Sequence, residues 1–320
     1  VSVAAHRTLA GPPPDLPADW PHRTASRRVD AGGIDWHVQL HRSRNPDAAL
    51  TLVLLHGTGA SAHSWAELIE PLGELATLVN LDLPGHGWTR GAAPGSLRLA
   101  AVADALQALL LRLDLDGDIG LVGHSAGAAV ALEWALRHAA HDAGRLRARA
   151  IVGLNPSLVP PPAVYTTLLG PAIAPLATSR PLAVLLARGA ANSSLIDRLL
   201  ASTGSRAPAW SRACYRRLFS RPEHVRGSMG FMAGADLPGL LARGGDITVP
   251  VAFVLGRQDP WVRLGPLRRV IRAHFPFAQC VEVDGGHLLH EERPLETAAL
   301  VAQGLRTALQ AKDPEPPVTG

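Results

Sequence analysis

The run Gly123-His124-Ser125-Ala126-Gly127 constrains this 320-residue chain more than any other feature. It follows the apolar segment Ile119–Val122 and opens a helical period that continues through Ala128 and Ala129 to His138. Glycines two residues to either side of a serine, between a strand and a helix, mark a tight, strained turn. Small residues are needed there because strand and helix pack closely beneath the turn while the serine oxygen protrudes. A serine presented that way is a candidate nucleophile, and its strand must belong to a sheet whose other strands end nearby.

The rest of the chain supplies such a sheet. Leu50–Leu55 is continuously apolar, as a parallel strand buried on both faces requires. Similar runs recur at Thr77–Leu81, Ile119–Val122, Ala150–Leu154, Val249–Leu255 and Gln279–Val283, with helical periods such as Leu97–Leu113 and Ala128–His138 between several of them. Ahead of these, Ser26–Asp30 and Ile34–His41 alternate in polarity and are joined by Gly32-Gly33, a hairpin signal. The pattern predicts an α/β fold, with a mostly parallel eight-stranded sheet and helices on both faces.

Residues 1–25 are Pro-rich without helical or strand period and read as an extended N-terminal arm. Residues 26–156 and 247–311 make the α/β core, and 157–246 interrupt it. Ala150–Ser179 carries no charge, but Pro156, Pro160–Pro162, Pro171 and Pro175 break it. A membrane span needs about 20 apolar residues in an unbroken hydrogen-bond ladder, so this stretch does not read as one. Arg-bearing helical stretches follow at Asp197–Leu200 and Ala213–Phe219. The interval is predicted to be a helical cap inserted after the sixth strand, over the carboxyl edge where open α/β sheets bind ligands.

A serine hydroxyl is a weak nucleophile and needs a base, which in turn needs an orienting acid. His287, in Asp284-Gly285-Gly286-His287 directly after the last strand, is the expected base, because the glycines let the loop turn its ring toward Ser125. His290 is the alternative. Asp259, in Leu255-Gly256-Arg257-Gln258-Asp259-Pro260, follows the preceding strand and is the expected acid. The end of the sixth strand reads Leu154-Asn155-Pro156-Ser157 and offers no carboxylate, and Asp284 lies too close to His287 in the chain. An oxyanion would be met by the backbone N–H of Ala126 and by that of Thr58, in His56-Gly57-Thr58-Gly59-Ala60-Ser61 after the third strand. His56 and His86 read as structural. Trp65, Trp88 and Trp261 follow strand ends and, with His124, are candidates to line a pocket. Arg180, Arg188, Arg198, Arg206, Arg212, Arg216 and Arg217 read first as a solvated face of the cap, and alternatively as partners for substrate carboxylates.

Composition excludes other classes. The pI of 9.8 reflects a net charge of only +4, with Lys312 the sole lysine and no arginine run or basic helix, so nucleic acid is not an expected partner. No metal-ligand spacing, P-loop or dinucleotide fingerprint occurs, and no cofactor is expected. Cys214 and Cys280 have neither metal nor disulfide spacing, and the Pro-rich opening lacks the apolar core of a signal peptide. A reducing, cytoplasmic setting is the expectation.

With these residues in place, the chain resembles the α/β-hydrolase superfamily over nearly its whole length. More narrowly, it resembles the BchO-type magnesium-chelatase accessory proteins of bacteriochlorophyll biosynthesis. That resemblance rests on His56–Ser61 with His63-Ser64-Trp65, on Asp82-Leu83-Pro84-Gly85-His86-Gly87 and on Gly123–Ala129. It extends to Thr203-Gly204-Ser205, His224-Val225-Arg226-Gly227, and His287 through His290-Glu291-Glu292-Arg293-Pro294. It implies a role around magnesium insertion into protoporphyrin, with an apolar tetrapyrrole as small-molecule substrate and magnesium-chelatase subunits as partners. Peripheral membrane contact through the apolar cap is a further expectation. Three readings stay open at this point: a serine hydrolase within tetrapyrrole metabolism, a non-catalytic porphyrin- or chelatase-binding protein, and a general esterase or lipase-like enzyme.

Overall fold

The computed structural model describes residues 10–139, 145–160, 179–190 and 194–311. Eight strands form one sheet: β1 (Ser26–Ala31), β2 (Ile34–His41), β3 (Leu50–Leu55), β4 (Thr77–Leu81), β5 (Gly117–His124), β6 (Leu146–Leu154), β7 (Val251–Gly256) and β8 (Gln279–Val283). Their spatial order is β1-β2-β4-β3-β5-β6-β7-β8. Only β2 runs against the others, paired antiparallel with β1 and β4, so the sheet is mostly parallel as expected. The strands are recognisable because β3, β4 and β7 are buried on both faces.

Helices cover both faces. On one, α2 (Leu99–Arg112), α3 (Ala126–His138) and α9 (Leu264–His274) pack into a core with Trp36, Val53, Leu121 and Phe253. On the other, α1 (Ile69–Gly73) and α11 (Pro294–Ala311) close over Leu52, Leu78, Val152 and Val254. α10 (Leu289–Glu292) is a single turn ahead of α11. Between β6 and β7 the described residues form five α-helices: α4 (Arg180–Ala190), α5 (Ser194–Ala201), α6 (Ala209–Phe219), α7 (Pro222–Gly234) and α8 (Leu237–Ala242). Residues 161–178 of the uncharged stretch lie outside the described residues. Among the described residues no helix is long and apolar enough to cross a membrane.

The insertion is anchored to the loops at the strand ends. His224 of α7 accepts a hydrogen bond from the Gly87 N–H at 3.0 Å and donates to the Gly59 carbonyl at 3.1 Å. Beside it, Gly227 presses its backbone on that of Gly85, where any Cβ would strike the Gly85 carbonyl. The Asp82–Gly87 motif has a structural purpose in the same region. The buried Asp82 carboxylate accepts from His37 Nδ1 at 2.7 Å, from the Ala62 N–H at 2.7 Å and from the Trp88 N–H at 2.8 Å. Burial opposes its ionisation, but His37 and the surrounding donors hold its carboxyl below the usual carboxylate range.

Residues 10–25 differ from the extended arm expected. They fold into turns and a short 3-10 helix (Arg23–Ala25), and Ala10 bridges Arg28 of β1. Leu16 and Trp20 are buried against Trp88, Cys214 and Leu218. The prolines impose turns without periodicity, while each of these two apolar side chains contributes about 2 kcal/mol on burial. Burial of Trp20, invisible to a periodicity argument, is what draws the segment onto the core.

Candidate active site

The Ser125 turn is strained as its flanking glycines foretell. Ser125 has φ 52° and ψ −116° between β5 and α3. A Cβ at Gly123 would lie 2.5 Å from Ala128, and one at Gly127 would strike the Leu55 carbonyl. Strand β3 and helix α3 therefore meet under the serine with no room for side chains. The Ser125 N–H donates to the Leu154 carbonyl at 2.9 Å, which ties the turn to the tip of β6.

The loop after β8 brings His287 to the serine. His287 Nε2 lies 3.1 Å from Ser125 Oγ, and His287 Nδ1 lies 2.7 Å from Asp259 Oδ2. The carboxylate accepts only, so the imidazole carries its proton on Nδ1 and turns the Nε2 lone pair toward the Ser125 hydroxyl. Asp259 is itself fixed, because its Oδ1 accepts from the N–H groups of Trp261 at 2.8 Å and Val262 at 2.9 Å. Asp259 and His287 are 5% and 3% exposed, so this line of contacts is shielded from solvent. Such an arrangement can take a proton from the serine as its oxygen attacks and return it to a leaving group.

Both candidate oxyanion donors border Ser125. Ala126 is the first residue of α3, and its N–H has no intrahelical acceptor. Thr58 follows Gly57, whose added Cβ would stand 3.1 Å from Ser125 Cβ, so the 56–59 loop passes directly beside the serine. His56 holds that loop: its Nδ1 donates to the Gly57 carbonyl at 2.8 Å and its Nε2 accepts from the Leu83 N–H at 2.9 Å. Burial holds the His56 ring below its ordinary pKa, which keeps it neutral for this bridging role.

The competing assignments fall elsewhere. His290 is fully buried against Trp65 at 4.8 Å and His124 at 4.3 Å between ring centres. Burial pushes its pKa down to about 3, and neither ring nitrogen has a hydrogen-bond partner among the described residues. Asp284 is turned outward, 3.1 Å from Arg257.

Two pocket assignments change as well. Trp65, expected to line a pocket, is fully buried with Leu68, Leu72 and Val301, because the 3-10 helix Ala62–Leu68 turns its ring into the core. His124 lies behind His287 and not in an open pocket: its Nε2 donates to the His287 carbonyl at 2.8 Å. Trp88 is buried with Trp20 in the cluster at the N-terminal segment. Trp261 alone of these aromatics reaches the surface, 49% exposed, with its ring 5.3 Å from that of His287. Of the insertion arginines, Arg212 and Arg216 face Asp197 and Arg217 pairs with Asp19, while Arg180, Arg188, Arg198 and Arg206 are exposed.

Sequence reasoning passed over Asn155. It has φ 42°, and its Nδ2 donates to the carbonyls of Gly286 at 2.9 Å and His287 at 3.0 Å. Its Oδ1 accepts from the Gly256 N–H at 2.6 Å. Asn155 thus binds the tip of β6 to the loops bearing both Asp259 and His287. Its signal in the sequence is its place at a strand end, in Leu154-Asn155-Pro156.

Just beyond His287, Glu291 joins core to insertion. It is 4% exposed and accepts hydrogen bonds from Tyr215 at 2.7 Å and from Ser211, both on α6. Burial pushes its carboxyl from 4.5 up to about 7, although the two hydroxyl donors pull it the other way. A folded-state pKa raised above the unfolded value means stability is fully present below about pH 4.5 and is lost as pH rises through about 7. Glu291→Gln is expected to remove that loss, making the protein roughly 2–3 kcal/mol more stable than wild type at pH 8 and equal to it near pH 4.5. Urea unfolding at the two pH values checks this, and a parallel pH dependence in both proteins would refute it.

The profile of the α/β hydrolase fold matches residues 51–294. The magnesium-chelatase 30 kDa subunit of Rhodobacter capsulatus is 34% identical over 287 residues, which cover 87% of this chain and 94% of that protein. A pimeloyl-[acyl-carrier protein] methyl ester esterase of Neisseria meningitidis serogroup C is 38% identical over 100 residues, 31% of this chain and 36% of the esterase. In three dimensions, the enol-lactonase from Burkholderia xenovorans LB400 has a TM-score of 0.68 at 19% identity, covering 87% of this chain and 99% of the lactonase. That likeness speaks to the fold alone. By sequence profile and by a relative matched along almost its whole length, the chain belongs to the α/β-hydrolase family, among proteins similar to the magnesium-chelatase 30 kDa subunit.

Proposed function

We propose that this protein is a serine hydrolase that cleaves an ester, thioester or similar acyl bond. The observation that carries the reading is the unbroken line from Asp259 Oδ2 through His287 to Ser125 Oγ, at 2.7 Å and 3.1 Å. Ser125 Oγ attacks the acyl carbon as its proton passes to His287 Nε2. The oxyanion faces the N–H groups of Ala126 and Thr58, and the leaving group departs with the proton from Nε2. Water then repeats the sequence on the acyl-enzyme, freeing the acid and restoring Ser125. Asp259 holds the Nδ1 proton throughout and stabilises the imidazolium.

Similarity to the magnesium-chelatase subunit of R. capsulatus supports a place in tetrapyrrole metabolism, with chelatase subunits as partners and an apolar tetrapyrrole as substrate. We place the protein in the cytoplasm. Exposed Leu185 on α4 and Leu195 on α5 support a peripheral membrane contact. The same relative favours a second reading, a non-catalytic protein that binds porphyrin or chelatase. The partial likeness to a methyl ester esterase supports a third, a general esterase.

A fluorophosphonate probe is expected to label the folded protein at Ser125, located by peptide mass spectrometry, and short p-nitrophenyl esters are expected to turn over. An unlabelled folded protein whose porphyrin binding survives both Ser125→Ala and His287→Ala would instead establish the second reading.

A further inference from the structure

Thr203-Gly204-Ser205, in the turn after α5, has no part in the chemistry above, yet it touches the loop that carries His287. The Thr203 carbonyl accepts from the His287 N–H at 2.9 Å. Ser205 Oγ accepts from the Leu288 N–H at 2.9 Å. The segment is braced from within, because the Thr203 hydroxyl donates to the Leu200 carbonyl at 2.6 Å and accepts from the Ser205 N–H at 3.2 Å. It also presses on the Asp259 loop. Gly204 has φ +72°, and a Cβ there would lie 2.7 Å from the Gln258 carbonyl oxygen and 3.0 Å from Pro260. Just before it, Ser202 Oγ accepts from Trp261 Nε1 at 3.2 Å.

The contacts are buried, with Thr203 at 1% and Ser205 at 8% exposure. They act on a loop whose shape is set by its contacts. Gly285 and Gly286 precede His287, and their backbone groups bond to Gln258, Asn155 and Glu292, so neighbours set the direction of the imidazole. The core supplies two donors to the His287 carbonyl, Asn155 Nδ2 and His124 Nε2. The acceptors for the next two N–H groups, those of His287 and Leu288, both come from the insertion.

We propose that Thr203–Ser205 is a positioning clamp through which the helical insertion sets the reach of His287 for Ser125. The insertion then belongs to the proton-transfer apparatus. A ligand or partner that moves α5 would change the reactivity of Ser125 without touching it. This inference rests on the reading of Ser125 as the nucleophile.

Ser205→Ala removes the acceptor for the Leu288 N–H with little change in volume, and Gly204→Ala drives a methyl group against the Asp259 loop. Three quantities are compared with wild type in the full chain. They are the labelling rate with a small ethyl fluorophosphonate, kcat and KM on p-nitrophenyl acetate, and the low-field proton resonance of His287 Nδ1. In Ser205→Ala, labelling and kcat are expected to fall about tenfold at unchanged KM, with the Nδ1 resonance shifted or broadened. Wild-type labelling rate and resonance in both variants would overturn the clamp, as would a raised KM at unchanged kcat. If the wild-type protein does not label, the nucleophile reading fails on its own. The His287 resonance in folded Ser205→Ala still decides the clamp: a shift upholds it and identity with wild type sinks it.

Discussion

Ser125→Ala is expected to lower kcat for p-nitrophenyl esters about a hundred-thousand-fold and to abolish fluorophosphonate labelling. Loss of this size follows if the acyl group is carried on Ser125 Oγ, because His287 then has no hydroxyl to activate and water must attack unaided. The fold should not suffer. Ser125 holds φ 52° whatever its side chain, and its N–H and carbonyl stay bonded to Leu154 and Ser157. Alanine keeps the backbone strain, whereas glycine relieves it. Ser125→Gly is therefore expected to be about 1 kcal/mol more stable than Ser125→Ala while equally inactive. Steady-state hydrolysis and thermal unfolding of the two variants check both halves. Activity in Ser125→Ala within tenfold of wild type would remove Ser125 from the reaction.

The elements legible in the sequence are those whose burial is local. β3 and β4 appear as unbroken apolar runs and have the limits their runs suggest. β5 begins two residues, and β6 four residues, earlier than its apolar run. Their first residues include Asp118, Arg147 and Arg149 at the partly solvated amino edge, where pairing of Asp118 with Arg147 extends the ladder through polar residues. The glycines around Ser125 announced a tight turn because the steric demand lies within five residues. Trp65 was misread because its place after a strand says nothing of which way a 3-10 helix turns it. Asn155 escaped for a different reason. Its hydrogen bonds reach backbone groups 131 and 132 residues away, and no local pattern encodes a contact to a carbonyl whose position the fold alone creates. The same holds for Thr203–Ser205, whose resemblance to a family motif was visible while its contact with His287 was not.

Asp259→Asn should be nearly as damaging as loss of the serine, and the surroundings of Asp259 say why. In the wild-type protein Oδ1 accepts from two backbone N–H groups, those of Trp261 and Val262, while Oδ2 accepts from His287 Nδ1. An asparagine must leave its single oxygen facing the two N–H donors, because an amide NH2 there would oppose both. Its NH2 group is then forced toward His287 Nδ1. The imidazole can satisfy that donor only by presenting a lone pair at Nδ1, which moves its proton to Nε2, the atom that must receive the Ser125 proton. The tautomer is reversed while every heavy atom stays in place, and a fall in kcat of about ten-thousand-fold is expected at neutral pH. Asp259→Ala lacks the forcing amide and frees the ring to choose its tautomer, so it should retain more activity than Asp259→Asn despite removing more atoms. Hydrolysis of p-nitrophenyl acetate by the two variants, with nitrogen NMR of the His287 ring to assign the tautomer, tests the argument. Equal activity in Asp259→Asn and wild type, or Nδ1 protonation in the asparagine variant, would show that Asp259 does not orient the base.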